Sequence, residues 1–428
     1  MTTTCIITLI VLVLAVVIGC AFDINLGVLG VVGAYICGVL IAGMPTRAVI
    51  SEWPTVLMFQ MIFIVLFYSY AKMNGTLELL ARKIIYLARN HAYLIPVALF
   101  LVCALVAALG GGAISTVIIM CIPVYSVAKQ TKINPIFAAI IILTGINAGA
   151  WRTGHDGIVA SGLMASAGFS SEEVTLYSNI LLKNYIIISV FIFAVAYIVF
   201  RGWKCSPLTA DQPEPFNSKQ KINIVLIVVM VLLYVVPMAL SVVMSNPVID
   251  YLSARLDMAF LGAVFSLLCI IFNLADTKEV IKSLPWGTLI VVCGMGMLIN
   301  VCVKVGLVDA MSAYVASNVS ERLMPSFMGL ISGVMSLFTA TIAVVLPTFY
   351  PLIYSLSETV NISPALLISA VTICSGFTGI SPFSLIGAMC YSACENEDKK
   401  KLFVGLIALA AICFVVAIIF ILTGIISG

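Results

Sequence analysis

Charge is the scarcest property of this sequence: Asp, Glu, Lys and Arg make up 9% of its 428 residues, and histidine occurs twice. Two histidines leave no basis for a His-built metal site. A formal net charge of +3 offers no basic surface for nucleic acid. The 13 cysteines include no CxxC pair and fall mostly inside apolar runs, where cysteine acts as a small buried hydrophobe. Alternation at period two is missing, which excludes an outer-membrane barrel. No basic stretch precedes the first apolar run, so 5–21 reads as a retained helix and not as a cleaved signal. Paired acids, a Ser/His dyad and a metal cluster are also missing, so no enzyme is expected.

What remains is hydrophobic, at 63% of residues. Apolar runs at 5–21, 26–44, 54–73, 177–200, 222–245, 257–275, 286–305 and 402–427 are long enough to cross the ~30 Å hydrocarbon core as helices. The expected fold is therefore an all-α polytopic membrane protein. Three kinds of segment interrupt the pattern. Residues 74–93 carry Glu78, Arg82, Lys83 and Arg89 at helical spacing among leucine and isoleucine, as a helix lying along the membrane surface does, and 306–324 is its counterpart. The stretches 94–128 and 326–353 are too long for one helix and have polar middles, GGGAIST and SLFTAT, which suits re-entrant hairpins. The spans 135–165 and 364–390 have glycine-rich centres, NAGAWRTGHDG and SGFTGISPFS, and read as broken helices.

The order occurs twice, over 1–200 and 222–428, joined by a polar, proline-bearing linker at 201–221. In each half, scaffold helices (5–73 and 222–305) precede the surface helix, hairpin, broken helix and a last span. Landmarks recur in register: Trp53 with Trp286, Gly75 with Gly306, Pro96 with Pro325, Pro123 with Pro347, Gly145 with Gly376. Five crossings and one hairpin per half make the second half inverted relative to the first. With both termini outside, Lys72, Arg82, Lys83, Arg89, Lys129, Lys132, Arg201, Lys204, Lys219 and Lys221 lie in the cytoplasm, joined by Lys278, Lys282 and Lys399 to Lys401. Arg47, Arg255, Arg322, Lys183 and Lys304 fall outside or near outer helix ends, a strong positive-inside bias.

Paired hairpins and broken helices meet at the membrane midplane, where helix ends and unpaired backbone groups bind substrate and coupling ions. The candidate substrate contacts are Ser115, Thr116, Asn147, Arg152 and Thr153 from the first half, with Thr339, Thr341, Thr378, Ser381 and Ser384 from the second. Ser115, Thr339, Ser375, His155 and Asp156 are the candidate ion-coupling residues. Hydroxyls and glycines at such places are also ordinary packing devices. Trp151 either packs or walls the pocket. No cofactor is expected beyond Na⁺ as a possible coupling ion.

Several stretches resemble the malonate/dicarboxylate carrier (MatC-like) family of the ion transporter superfamily, which also contains the divalent-anion/sodium symporters. They are INLGVLGVVGAYICGVLIAGM, FIVLFYSYAKMNGTLELLARKIIYLAR, AYLIPVALFLVCALVAALGGGAIST and KINPIFAAIIILTGINAGA, within 25–165; over 222–428 the resemblance is architectural. It implies an elevator-type secondary transporter of a small organic anion, a dicarboxylate such as malonate or succinate, coupled to Na⁺ or H⁺. It also implies a homodimer formed through the scaffold, among the lipids of a bacterial inner membrane. Two positions depart from the family. Where the symporters carry Ser-Asn-Thr at each hairpin tip, this chain has Ala113-Ile114-Ser115 and Leu337-Phe338-Thr339. Where relatives have a Ser-Pro break in both halves, only Ser381-Pro382 keeps it, and AWRTGHDG stands in the first half.

Why an arginine stands in that apolar setting has two answers at this level. An arginine near the bilayer centre costs at least ~2.5–3.5 kcal/mol, so it requires water and a partner. That partner is either the carboxylate of a substrate, gripped by two parallel hydrogen bonds, or Asp156 four residues on. His155 beside Asp156 suits a coupling proton. The rival function is a cation/proton antiporter centred on Asp156.

Overall fold

The structure, a computed structural model, describes residues 3–22, 24–208, 212–243, 248, 251, 255–256, 258–337, 341–357, 359–394 and 399–428. Among the described residues every regular element is helical. Six helices are long and apolar enough to cross a membrane: Thr46–Met73, Ala92–Leu109, Gly112–Thr131, Ser171–Val199, Trp286–Lys304 and Lys399–Leu422. Shorter apolar helices occur at Thr4–Gly19, Leu26–Ile41 and Ala259–Ile271, among other places. Large apolar side chains such as Ile10, Leu40, Val56, Ile122 and Val199 point outward, a surface that belongs in lipid and not in water.

The chain opens with α1 (Thr3–Phe22) and α2 (Leu26–Tyr35), the latter running into a π turn at Ile36–Ile41. Asn25 starts α2 by accepting from the Gly27 and Val28 amides. A short α3 (Thr46–Ile50) and Pro54 precede α4 (Thr55–Met73), and α5 (Thr76–Leu87) follows at once. Between α4 and α5 Gly75 takes a left-handed backbone (φ 73°), where a Cβ would be strained. The polar surface helix thus ends at Leu87, short of the expected residue 93. Beyond it come α6 (Ile95–Val106), a π turn at Ala107–Gly111, α7 (Gly112–Thr131), α8 (Pro135–Gly149), α9 (His155–Ala167) and α10 (Ser171–Val199). A capping box of Ser170 and Glu173 sets the start of α10 ahead of the expected 177.

The second half brings α11 (Ser218–Val243), α12 (Met258–Ile271), α13 (Thr277–Lys282), α14 (Trp286–Lys304) and α15 (Leu307–Asn318). Gly306 separates α14 from α15 with φ 77°, as Gly75 does in the first half. Next are α16 (Met324–Ser336), a π turn at Thr341–Val345, α17 (Leu346–Ser357), α18 (Pro364–Thr378), α19 (Leu385–Ala393) and α20 (Lys399–Leu422).

The two halves pack crosswise. Helix α2 lies on α14 with backbones nearly touching, because Gly27, Gly30 and Gly294 leave no side chain between them. Helix α12 lies on α4 in the same manner, Gly262 facing the Phe63 carbonyl. Farther along, α6 packs on α8 and α16 on α18, each pair within its own half. The following helices cross over: α7 packs on α19, and α17 packs on α9. Helices α6 to α10 and α16 to α20 share one large apolar core, which includes Leu99, Ile141, Leu181, Tyr350, Ile368 and Leu406. Two smaller cores lie among α1, α2 and α14 and among α4, α11 and α12.

Candidate functional site

Helix α8 has 15 residues and α9 has 13, about 22 and 20 Å of rise, so neither crosses the bilayer alone. Their junction, 150–154, is a tight turn closed by the Gly157 amide donating to the Ala150 carbonyl at 3.0 Å. Gly157 has its open side against the Trp151–Arg152 backbone, where a Cβ would collide. This turn is where AWRTGHDG sits. Opposite it stands the hairpin turn between α6 and α7.

Two hydrogen bonds join the turns. The Thr153 hydroxyl donates to the Ala108 carbonyl at 2.7 Å, and the Ala113 amide donates to Asp156 Oδ2 at 2.9 Å. Gly112 (φ 54°) lets the chain pass so close that a Cβ there would lie 2.8 Å from that of His155. Asp156 is 2% exposed; its other oxygen faces His155 Nδ1 at 3.3 Å. The carboxylate thus caps the N-terminus of α7, where free amides and the helix dipole favour an anion. Ser115 and Thr116 lie in the opening turn of α7, three and four residues after Gly112. The chain turns at Gly112, whose positive φ follows the π turn at Ala107–Gly111.

Arg152 does not pair with Asp156. Its Nε donates to Asn179 Oδ1 on α10 at 2.9 Å, and its guanidinium lies over the Tyr234 ring of α11, 5.7 Å from the centroid. Spacing of four makes neighbours only on a continuous helix, and Arg152 precedes the start of α9. The arginine is half-buried, at the rim between the central core and α11.

Asn147, 4% exposed, accepts from Trp151 Nε1 at 3.3 Å, while its own Nδ2 has no hydrogen-bond partner. Thr116 Oγ1 and His155 Nε2 are likewise buried and unpartnered. Buried polar atoms normally find partners, so these three mark the first break as a place where something polar can be received. Trp151 packs: it stacks on Tyr185 (4.5 Å, 8°), which stacks on Phe377 of α18 (5.8 Å, 24°). The Tyr185 hydroxyl donates to the Thr372 carbonyl at 2.6 Å. Those rings tie the first break to the broken helix of the other half.

At the second break the hydroxyls are satisfied within the chain. Ser336 and Thr341 donate to the Ser375 carbonyl at 2.8 and 3.1 Å. Ser375 and Thr378 donate to carbonyls four residues back, Val371 and Cys374. Ser384 donates to the Gly379 and Ser381 carbonyls, and Ser381 Oγ accepts from the Phe383 amide. A hydroxyl whose proton is committed keeps lone pairs, so this set suits a cation better than a carboxylate. Thr339, expected among them, lies outside the described residues.

Sequence reasoning did not single out Tyr185, or Phe377, which carries no polar atom within the glycine-rich centre SGFTGISPFS. It read Lys72 only as one charge of a basic face. Lys72 in fact lines both a cavity of about 840 Å³ beside α5 and α7 and a small one it shares with Tyr68 and Ser115. Neither cavity is lined by a residue of the two breaks.

Residues 1–150 match the model of a family described as dicarboxylate carrier protein MatC N-terminus. No curated protein matches the chain. Among solved structures the chain is similar to the Alcanivorax borkumensis YdaH transporter, whose crystal structure is described as having an unusual topology. The TM-score is 0.56 at 13% identity, over 88% of this chain and 87% of that one. That likeness is one of fold.

Proposed function

We propose that the protein is a secondary transporter of a small organic anion, a dicarboxylate such as malonate or succinate, coupled to Na⁺ or H⁺. The observation that carries this reading is the meeting of two hairpins and two broken helices at one centre, with buried donors at the first break. The match of residues 1–150 to a dicarboxylate carrier family supports the substrate class. The crosswise packing of α2 on α14 and α12 on α4 supports a pair of inverted repeats, and with them alternating access. The separate small cores of the scaffold helices support a central body that slides as an elevator, with the outer scaffold faces as the dimer contact. N- and C-termini outside remain the orientation that the basic residues favour.

In this reading the Arg152 guanidinium, held beside Asn179, grips a substrate carboxylate through two parallel charge-assisted hydrogen bonds. Asn147 Nδ2 supplies a further donor. The hydroxyls of the second break hold Na⁺, if Na⁺ is the coupling ion, through their lone pairs. One observation favours a second reading: Asp156 and His155 form a buried acid–imidazole pair, the equipment of a cation/proton antiporter. Uptake of labelled malonate and succinate into proteoliposomes, under a Na⁺ or a pH gradient, tests the choice. Saturable uptake of either anion supports the carrier; no uptake of either, with cation-driven proton movement, supports the antiporter.

A further inference from the structure

Lys72 stands in the last turn of α4, half-buried, and among the described residues it makes no ion pair. Two acids share its large cavity: Glu78, held by Arg82 at 2.7 Å, and Glu214. One turn before Lys72 on the same helix, Tyr68 is 3% exposed and its hydroxyl is buried without a hydrogen-bond partner. Both side chains line a small cavity of about 20 Å³, room for one water or one carboxylate oxygen, closed on the other side by Ser115 of α7. Lys72, Leu77 and Ile119 line this cavity and the large one alike, so the two adjoin. Ser115 in turn is two residues from Ala113, whose amide holds Asp156. The sequence of features runs inward from the basic face: large cavity, ammonium, two hydroxyls, hairpin tip.

We propose that Lys72, Tyr68 and Ser115 form a capture site for a carboxylate on its way between the basic face and the breaks. It rests on the anion-carrier reading for what passes through it. A compact ammonium and two hydroxyl donors, partly shielded from water, attract and briefly hold a carboxylate. They lack the planar fork that makes a tight bidentate grip, as an approach site requires. A plain structural role is the alternative, since a lysine at a helix C-terminus offsets the helix dipole. That role depends on charge but involves no solute in the cavity.

Cysteine chemistry separates the two. Ile119→Cys places a thiol at the junction while leaving all three residues intact. In the full-length protein, modification by an anionic and a cationic thiosulfonate of similar size is followed by mass spectrometry of the peptide. The anionic reagent is expected to react roughly tenfold faster. That preference is lost in the Lys72→Gln background, kept in Lys72→Arg, and the reaction is slowed by malonate or succinate. Equal rates for both reagents, or no reaction with either, overturn the capture site. A charge preference that depends on Lys72 but no protection by either dicarboxylate upholds the site and counts against the proposed substrates. A dipole role alone lowers the melting temperature of Lys72→Gln and leaves the ratio of the two reaction rates unchanged in that background.

Discussion

The Ala113 amide donates to Asp156 Oδ2 at 2.9 Å across 43 residues of sequence, so the second limb of the first hairpin is held by an acid from the neighbouring break. The end of α7 most suited to an anion is already occupied by the protein's own carboxylate. Whatever binds at the first break does so around this clasp or by opening it.

Removing the carboxylate leaves the α7 N-terminus uncapped and His155 without its contact. Asp156→Ala is expected to lower stability by about 1.5–3 kcal/mol, the range for a hydrogen bond to a charged group. Asp156→Asn, which keeps an acceptor, loses less. Thermal unfolding in detergent reads the difference; equal melting temperatures for wild type and both variants would mean that the clasp contributes nothing.

Arg152 contacts a neutral amide and an aromatic face, not an acid of the break. Arg152→Gln is expected to abolish dicarboxylate binding. Arg152→Lys retains charge but not the fork, and recovers binding only in part. Isothermal titration with malonate measures both, and an unchanged affinity in Arg152→Gln removes this residue from the site.

Gly376 packs against the Tyr185 hydroxyl so closely that a Cβ would collide with it, and Trp151 stands behind at 3.5 Å. Gly376→Ala is therefore expected to cost about 1–3 kcal/mol through overpacking. Tyr185→Phe removes the colliding oxygen, so the double variant is expected to lose less than the sum of the single losses. Strictly additive losses would show that the two sites do not press on one another.

His155 faces Asp156 with Nδ1 and buries an unpartnered Nε2. If it carries the coupling proton, His155→Ala abolishes uptake driven by a pH gradient while binding of the anion persists. Proton-driven uptake at the wild-type rate would assign His155 to packing.

Much of this arrangement is legible in the chain. Glycines and prolines announce the breaks at 150–154 and 379–384, and Gly75 and Gly306 announce the left-handed joints between span and surface helix. GGGAIST announces the turn between α6 and α7, and backbone freedom at Gly112 within it decides where the chain turns. The Arg152–Asp156 spacing suggests a pair because it presumes a helix that has not yet begun. Tyr185 owes its place to partners up to nearly two hundred residues away and Lys72 to cavities between elements, and neither relation leaves a local pattern.

The most direct measurement is the melting temperature of the purified protein with malonate, succinate, citrate, lactate and chloride, in Na⁺ and in choline buffers. A ligand that binds the folded state raises it, by about 2.7 kcal/mol of stability at a hundredfold excess over Kd. A dicarboxylate carrier shows a shift with malonate or succinate that is absent with chloride and lost in Arg152→Gln; its dependence on Na⁺ identifies the coupling ion. No shift with any of these anions would contradict a dicarboxylate substrate and turn attention to Asp156 as the centre of a cation/proton antiporter.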